Sequence, residues 1–408
     1  MHPPSSPPVP LREIAALFLK LGIIGFGGPA AHIALMRQEV VEKRKWLDEQ
    51  GFLDLLGAVH LIPGPNSTEL AIHIGYEKGG WRGLLLAGLC FILPAVAITA
   101  GIAWLYRAYG TLPEVQPFVY GAKPAVLAVV AAAVFPLARA SFKAPFLIGL
   151  GVLVLGLSLL GVPELYLLFG SGFLALLWNR SLGKRANLWA WPLLAWVVPP
   201  LMALSTARLF FLFLKIGALL YGSGYVLFAL LDEELVATGL LERQVLIDAV
   251  AVGQFTPGPV FSAVTFIGFQ MDGWKGAAWA TLGVFLPSFV LVALLKPLVS
   301  ALRGPVFAAF LDAVNAASVA LIAVVCLQMG RESVFDGRTV LIAGLSLCLA
   351  FGFRRLNSAF VGALGAGLGW GLAGLGRQGG SQFFRKYGLV AREQRKGDYL
   401  PGSGPVFV

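Results

Sequence analysis

Charged residues are scarce in this chain of 408 residues. Only 13% are Asp, Glu, Lys or Arg, whereas soluble domains average roughly 25%, and 58% of the residues are hydrophobic. This composition excludes an ordinary soluble protein. It predicts an all-α polytopic membrane protein, because helices satisfy their backbone polar groups internally in lipid.

Cysteines and catalytic motifs are also few. The three cysteines, Cys90, Cys326 and Cys348, lie in apolar runs without metal or redox spacing, so we interpret them as small buried side chains. The chain has no Walker sequence, no zinc-spaced His/Cys set and no Ser-His-Asp arrangement. We therefore expect no catalytic residues, no metal and no cofactor, and an ATP-driven pump is disfavoured.

Apolar runs occupy most of the chain and are long enough, or nearly so, to cross a ~30 Å hydrocarbon core. They predict about ten to thirteen hydrophobic segments, depending on how interrupted stretches are counted. The clearest runs cover residues 84–106, 124–137, 144–160, 188–204, 209–231, 279–295, 306–327 and 340–351.

Five parts follow from the order of these runs. Residues 1–10 are proline-rich and predicted to be disordered, with no cleaved signal peptide. Residues 11–178 and 207–376 each form a repeat followed by two further helices. Between them, residues 179–206 form a linker with an extra hydrophobic segment, and residues 377–408 form a basic, polar tail.

The two large parts are duplicates of each other. Phe18-Leu19-Lys20-Leu21-Gly22 matches Phe213-Leu214-Lys215-Ile216-Gly217 at an offset of 195 residues. Pro63-Gly64-Pro65 matches Pro257-Gly258-Pro259 at 194, and Gly80-Trp81-Arg82-Gly83 matches Gly273-Trp274-Lys275-Gly276 at 193. Two single-residue gaps therefore align the halves, which predicts two homologous repeats.

Charge bias indicates how the repeats are oriented. The loop after the first helix carries Arg37, Lys43, Arg44 and Lys45, whereas its counterpart is Asp232-Glu233-Glu234. Since cytoplasmic loops accumulate Lys and Arg, opposite bias favours inverted-topology repeats. The basic stretch from Arg377 favours a cytoplasmic C-terminus, which fits strict inversion less well.

Each Pro-Gly-Pro interrupts an apolar stretch, because proline removes a backbone donor and clashes with the preceding helical turn. Together with Phe18-Leu-Lys-Leu-Gly22, Phe26-Gly-Gly-Pro29 and Gly79-Gly-Trp-Arg-Gly83, the first tripeptide resembles the bacterial chromate transporter family in its long-chain, two-domain form. The resemblance covers about residues 11–376. It implies export of chromate across the bacterial inner membrane, driven by the proton or membrane-potential gradient, and hence chromate resistance.

A helix that begins after a break presents free N–H groups and the positive end of its dipole, which suits a tetrahedral dianion. Asn66, Ser67 and Thr68 follow the first tripeptide, and Ser262 follows the second. Ordinary capping of the half-helix by Asn66 or Ser67 is the alternative. We therefore take both tripeptides and these four polar residues as candidate substrate-binding residues.

Three lysines in apolar surroundings are further candidates, because charge in lipid is costly. Lys20 and Lys215 occupy equivalent positions and could neutralise one dianion together, while Lys123 lies beside Pro124. Snorkelling to the interface is the alternative for Lys20 and Lys215. Gly27 and Gly28 permit close approach of either a helix or the substrate, and with Pro29 they are expected to break the first helix.

Proton coupling requires a titratable group, for which Glu69, His60 and His73 are the candidates near the first tripeptide. Glu39, Glu234 and the cluster from Glu42 to Glu49 are interpreted as a solvated or interfacial segment.

The sequence thus predicts a multi-pass secondary transporter of chromate rather than an enzyme. Its expected partners are chromate, with sulfate as a competitor, and the lipid bilayer. A homodimer is compatible with the sequence, and no nucleic acid is expected. A transporter of another oxyanion such as sulfate, and a membrane-embedded enzyme or assembly subunit, remain the alternatives.

Overall fold

A computed structural model describes residues 9–110, 112, 115–178, 206–220, 226–294, 305–352 and 358–375. Every regular element within these ranges is a helix, which confirms the predicted all-α class. Most of the N-terminal segment 1–10, the linker residues 179–205, the tail 377–408 and the second glycine cluster at Gly222 and Gly224 lie outside the described residues.

The first repeat contains seven α-helices among its described residues. They are α1 (Leu11–Ile24), α2 (Gly28–Arg37), α3 (Glu49–Val59), α4 (Asn66–Tyr109), α5 (Gln116–Ser141), α6 (Pro145–Leu159) and α7 (Glu164–Trp178). The described part of the second repeat contains α8 (Thr206–Leu219), α9 (Val226–Leu231), α10 (Arg243–Phe255), α11 (Ala263–Ala293), α12 (Pro305–Ser333), α13 (Gly337–Gly352) and α14 (Ser358–Leu375). Short π-helices at Gln38–Lys43 and Asp232–Val236 occupy equivalent places after α2 and α9.

The helix α4 reverses direction at Gly80 and is in effect a hairpin of two arms, residues 66–79 and 81–109. Gly80 has φ 58° and ψ −148°, a conformation that favours glycine. Across the turn, a Cβ added at Gly75 would collide with the carbonyl oxygen of Gly83 and with Ala87. Gly273 (φ 57°, ψ −144°) reverses α11 in the same way, so glycine closes the same hairpin in both repeats.

The Pro-Gly-Pro breaks lie at the tips of two further hairpins. In the second repeat, a Cβ on Gly253 before the break would lie 3.0 Å from the Cβ of Ala263 after it, so the two limbs pack side by side. The chain also reverses between α1 and α2, because Lys20 and Glu39 form an ion pair at 3.0 Å. A continuous helix would separate these residues by nearly 30 Å at about 1.5 Å per residue. The predicted break of the first helix before Pro29 is confirmed, since α1 ends at Ile24 and α2 begins at Gly28.

The hairpins of the two repeats enter the molecule from opposite ends. Along the arm 81–109, Ala95 lies beside Gly258, the Ala103 carbonyl accepts from Gln270, and Arg107 lies beside Gly273. The reversal at Gly273 is therefore at the end of this arm opposite to Gly80. The repeats have inverted topology, as the charge bias predicted.

The last two helices of each repeat pack mainly on the other repeat. The second-repeat helices α13 and α14 pack on α5 of the first repeat, whereas the first-repeat helices α6 and α7 pack on α12 of the second. Close backbone contact between Gly121 and Gly369 allows α5 and α14 to approach. Four helical stretches among the described residues are long and apolar enough to cross a membrane: Asn66–Tyr109, Pro117–Ser141, Val260–Ala293 and Ala308–Ser333. Two of these stretches, Asn66–Tyr109 and Val260–Ala293, contain the chain reversals, so the part of each that can cross the membrane is the arm after Gly80 or after Gly273.

Candidate functional site

The two Pro-Gly-Pro tips lie at the centre, where each is hydrogen-bonded to the opposite repeat. The backbone N–H of Gly64 donates to the carbonyl of Leu220 at 2.7 Å, and the N–H of Gly258 donates to the carbonyl of Gly25 at 2.7 Å. Leu220 and Gly25 are themselves equivalent, at the 195-residue offset. The predicted binding residues Pro63, Gly64, Pro65, Pro257, Gly258 and Pro259 thus lie in one symmetric, buried arrangement.

The first tip carries a fully buried carboxylate. Glu69 is 0% exposed, and neither of its oxygens has a hydrogen-bond partner; the same is true of the Thr68 hydroxyl and the Ser288 hydroxyl. A Cβ at Gly64, whose φ is 133°, would collide with Oε1 of Glu69 and lie 3.0 Å from Oγ of Ser288. Glu69 and Ser288 therefore converge next to Gly64, and Thr68 precedes Glu69 in the same helical turn. All three have unused hydrogen-bonding capacity, which is costly away from water.

His32 connects the first tip to the second. Its Nε2–H donates to the carbonyl of Gly25 at 3.0 Å, and Nδ1 lies 3.3 Å from the hydroxyl of Ser67. Because a carbonyl only accepts, the neutral ring must accept from Ser67 at Nδ1. The Gly25 carbonyl thus receives both His32 and the N–H of Gly258.

Sequence reasoning missed His32. One signal in the sequence pointed to it. The second repeat has a leucine, Leu227, at the position equivalent to His32, so the polar side chain is specific to the first repeat. Ser67 is engaged with His32, and Pro65, which has no side-chain hydrogen bond, is the residue that caps α4. Capping of this half-helix by the side chain of Asn66 or Ser67 is therefore not what the structure shows.

The second tip differs because its hydroxyl groups bond to one another and to the backbone. The Thr99 hydroxyl donates to Ser262 at 3.2 Å and lies 3.4 Å from Thr256, whose own hydroxyl donates to the Val252 carbonyl. Ala263 stands where the first repeat has Glu69. The predicted site residue Ser262 is thus in the tip, but among the residues that the structure describes only the first tip holds an acidic group.

Lys20 and Lys215 each form an ion pair within their own repeat. Lys20 donates to Glu39 at 3.0 Å, and Lys215 donates to Glu234 at 2.6 Å. Glu39 is buried and also receives Lys43 and Arg44. The structure therefore does not bring the two lysines onto a common point, and their joint action on a dianion stays a prediction. The interpretation of Glu39 as a surface residue is corrected, because these three cations allow it to be buried.

Ion pairs join the end of α2 to the exposed segment that follows it. Arg37 donates to Glu42 at 2.6 Å and to Glu49 at 2.8 Å. The hydrogen bond from Arg37 lowers the pKa of the Glu49 carboxyl. This segment is solvated, as its composition predicted.

Lys123 lies in a buried polar cluster rather than at a tip. It forms an ion pair with Asp248 at 3.0 Å, and the Tyr106 hydroxyl donates to the same carboxylate at 2.5 Å. Asp248 was not predicted. Its counterpart in the first repeat, Asp54, is exposed and accepts from Gln50. The cluster joins α4 and α5 of the first repeat to α10 of the second.

Comparison with known proteins identifies the family. The model of the chromate transporter family matches residues 12–176 and 207–370, which is most of both halves. The chain belongs to the chromate transporter family. A probable chromate transport protein of Synechococcus elongatus is 32% identical over 85% of this chain and 90% of its own length. A chromate transport protein of Cupriavidus metallidurans is 30% identical over 90% of this chain and 94% of its own length. No solved structure matches the chain.

The remaining predicted residues of this chromate transporter family member are divided between tip and surface. His73 is buried one turn beyond Glu69, whereas His60 is exposed at the end of α3. Gly27 (φ 103°) and Gly28 (φ 77°) form the reversal before α2. No group of three His, Cys, Asp or Glu residues in the described part of the chain could hold a metal ion.

Proposed function

We propose that this protein is a secondary active transporter that exports chromate across the bacterial inner membrane and so confers chromate resistance. The observation that carries the proposal is the family match over both halves, with two inverted repeats whose Pro-Gly-Pro tips meet at the centre. Coupling to the proton gradient or to the membrane potential supplies the energy.

The chemistry of the tips suits a tetrahedral oxyanion. The helical arm after Pro65 and the 3-10 turn at Val260–Ser262 both begin at a tip and direct their first N–H groups towards it. The hydroxyls of Thr68 and Ser288 are unused donors at the first tip. Chromate carries oxygen acceptors in all directions, so it matches this set of donors without requiring a metal.

Inverted repeats also provide a route for alternating access. The hairpins of the two repeats enter from opposite ends, so movement of one set opens the centre to one side of the membrane and movement of the other set opens it to the other side. The cross-repeat hydrogen bonds of Gly64 and Gly258 hold both tips together when neither side is open.

Uptake of labelled chromate into everted membrane vesicles tests the function, because export from the cell becomes accumulation in these vesicles. We expect chromate to accumulate only in energised vesicles. Accumulation should be lost when a protonophore is added or when the membrane potential is collapsed. Accumulation of sulfate without chromate would instead assign the protein to another oxyanion. Vesicles that accumulate neither would leave the proposal without support.

A further inference from the structure

The unpaired carboxylate of Glu69 occupies the place where the anion is expected to bind. It lies at the start of the arm 66–79, beside Gly64, where the helix N-terminus faces the tip. It is 0% exposed, and no salt bridge reaches it among the described residues. A carboxylate in such a position would repel an oxyanion unless a proton lies between the two groups.

We propose that Glu69 makes the first tip favour an oxyanion that shares one proton with it, so that chromate is bound in preference to sulfate. This inference rests on the proposed function. In the bound state, a single proton lies between Glu69 and one oxygen of the anion. This state is the same whether chromate meets protonated Glu69 or hydrogen chromate meets the carboxylate.

The difference between the two anions follows from their acidity. Hydrogen chromate releases its proton near neutral pH, so chromate competes well for a shared proton. Hydrogen sulfate is a much stronger acid, and sulfate accepts a proton poorly. The Ser288 hydroxyl beside Glu69 can donate to another oxygen of either anion, so the shared proton is what discriminates between them.

In the described part of the chain, two histidines lie on the arm of Glu69 or on α2, which packs against it. His73 lies one turn further along the same arm, and His32 on α2 reaches Ser67 two residues before Glu69. From α11, the facing group is the neutral hydroxyl of Ser288. The second tip has Ala263 at the equivalent position, so the selectivity resides in the first repeat alone.

The substitution Glu69→Gln tests this inference, since glutamine keeps the shape but can donate to an unprotonated anion. In everted vesicles at pH 7.5, we expect sulfate to inhibit chromate uptake by Glu69→Gln at a concentration about tenfold lower than for the native protein, which corresponds to about 1.4 kcal/mol. The native KM for total chromate should also rise once the pH is high enough to remove the proton from Glu69 in the unoccupied protein, whereas that of the variant should stay nearly constant. Asp54→Asn is the matched control, because it removes an exposed carboxylate from the preceding helix.

Two results would overturn the inference. One is equal inhibition by sulfate in the native protein and in Glu69→Gln; the other is a native protein that sulfate inhibits as strongly as unlabelled chromate does. The second measurement needs no variant and therefore holds even where Glu69→Gln fails to insert. Failure of the native protein to accumulate chromate would count against the proposed function itself. Normal chromate uptake by Glu69→Gln with unchanged inhibition by sulfate would count only against the role of Glu69 in selectivity.

Discussion

The backbone N–H of Gly258 donates to the carbonyl of Gly25, 2.7 Å away in the other repeat. Its repeat equivalent, the bond from Gly64 to Leu220, has the same length. Because both partners are backbone groups, the contact depends on chain geometry rather than on side-chain identity. Two inverted copies of one hairpin can therefore be held at the same point although their side chains differ.

Alanine at either tip glycine should abolish transport. Gly64 has φ 133° and Gly258 has φ 87°, which L-residues adopt at a cost of about 1–2 kcal/mol. A Cβ at Gly64 would also meet Glu69, and one at Gly258 would lie 2.9 Å from the Cβ of Ala95. We expect Gly64→Ala and Gly258→Ala to lower chromate uptake by more than tenfold at equal membrane abundance, and Ala-Ala-Ala at either tripeptide to be at least as severe.

The control for this prediction is Gly161→Ala. Gly161 also has a positive φ, 85°, but a Cβ there would meet nothing within 4 Å. It should lower thermal stability slightly and leave uptake close to normal. If all three variants transport equally well, the tips are structural turns without a role in transport.

Sequence predicted the repeats, their inversion and the tips, since these depend on local chemistry and charge counts. It did not predict that Gly80 and Gly273 reverse the chain, because the apolar pattern continues through both and the reversal depends on one positive φ. Nor did it predict Asp248 as a buried residue. Its partners Lys123 and Tyr106 come from the other repeat, and such a contact leaves no local pattern.

The lysine pairs should respond unequally to substitution. Glu39 keeps Lys43 and Arg44 when Lys20 is removed, whereas Lys215 is the cation bonded to Glu234 in the described structure. We expect Lys20→Ala to have a mild effect on uptake and Lys215→Ala a larger effect accompanied by lower thermal stability. A severe and equal loss of uptake in both variants, with normal stability, would instead support the joint neutralisation of a dianion.

Replacing His32 by leucine, the residue of the second repeat, should weaken transport without preventing insertion. The change removes the bond to the Gly25 carbonyl and frees the Ser67 hydroxyl, each an interaction of about 1 kcal/mol. We expect a several-fold rise in KM for chromate in vesicles. His32→Gln, which can donate to Gly25, should be closer to the native protein; if it is no better than leucine, the link between the tips has no role in binding.

The two hairpin turns should be accessible from opposite sides of the membrane. Trp81 and Trp274 follow the turns at Gly80 and Gly273 and are 61% and 62% exposed. In a background without the three native cysteines, Trp81→Cys and Trp274→Cys should react with a membrane-impermeant maleimide in vesicles of opposite orientation. Labelling of both from the same side would be inconsistent with inverted repeats.

Asp248 and Lys123 should behave as a mutually dependent pair. Their side chains are only 5% and 16% exposed, so removing one partner leaves the other charge buried and uncompensated. Asp248→Asn should therefore lower the free energy of unfolding by about 3–5 kcal/mol, whereas Lys123→Met combined with Asp248→Leu should cost far less. Thermal unfolding in detergent gives the order of stability. If the pair only holds α5 against α10, the double variant regains uptake along with stability; a stable double variant that does not transport would assign the Lys123–Asp248 pair a direct role in moving the anion, in line with the position of Lys123 in an apolar run.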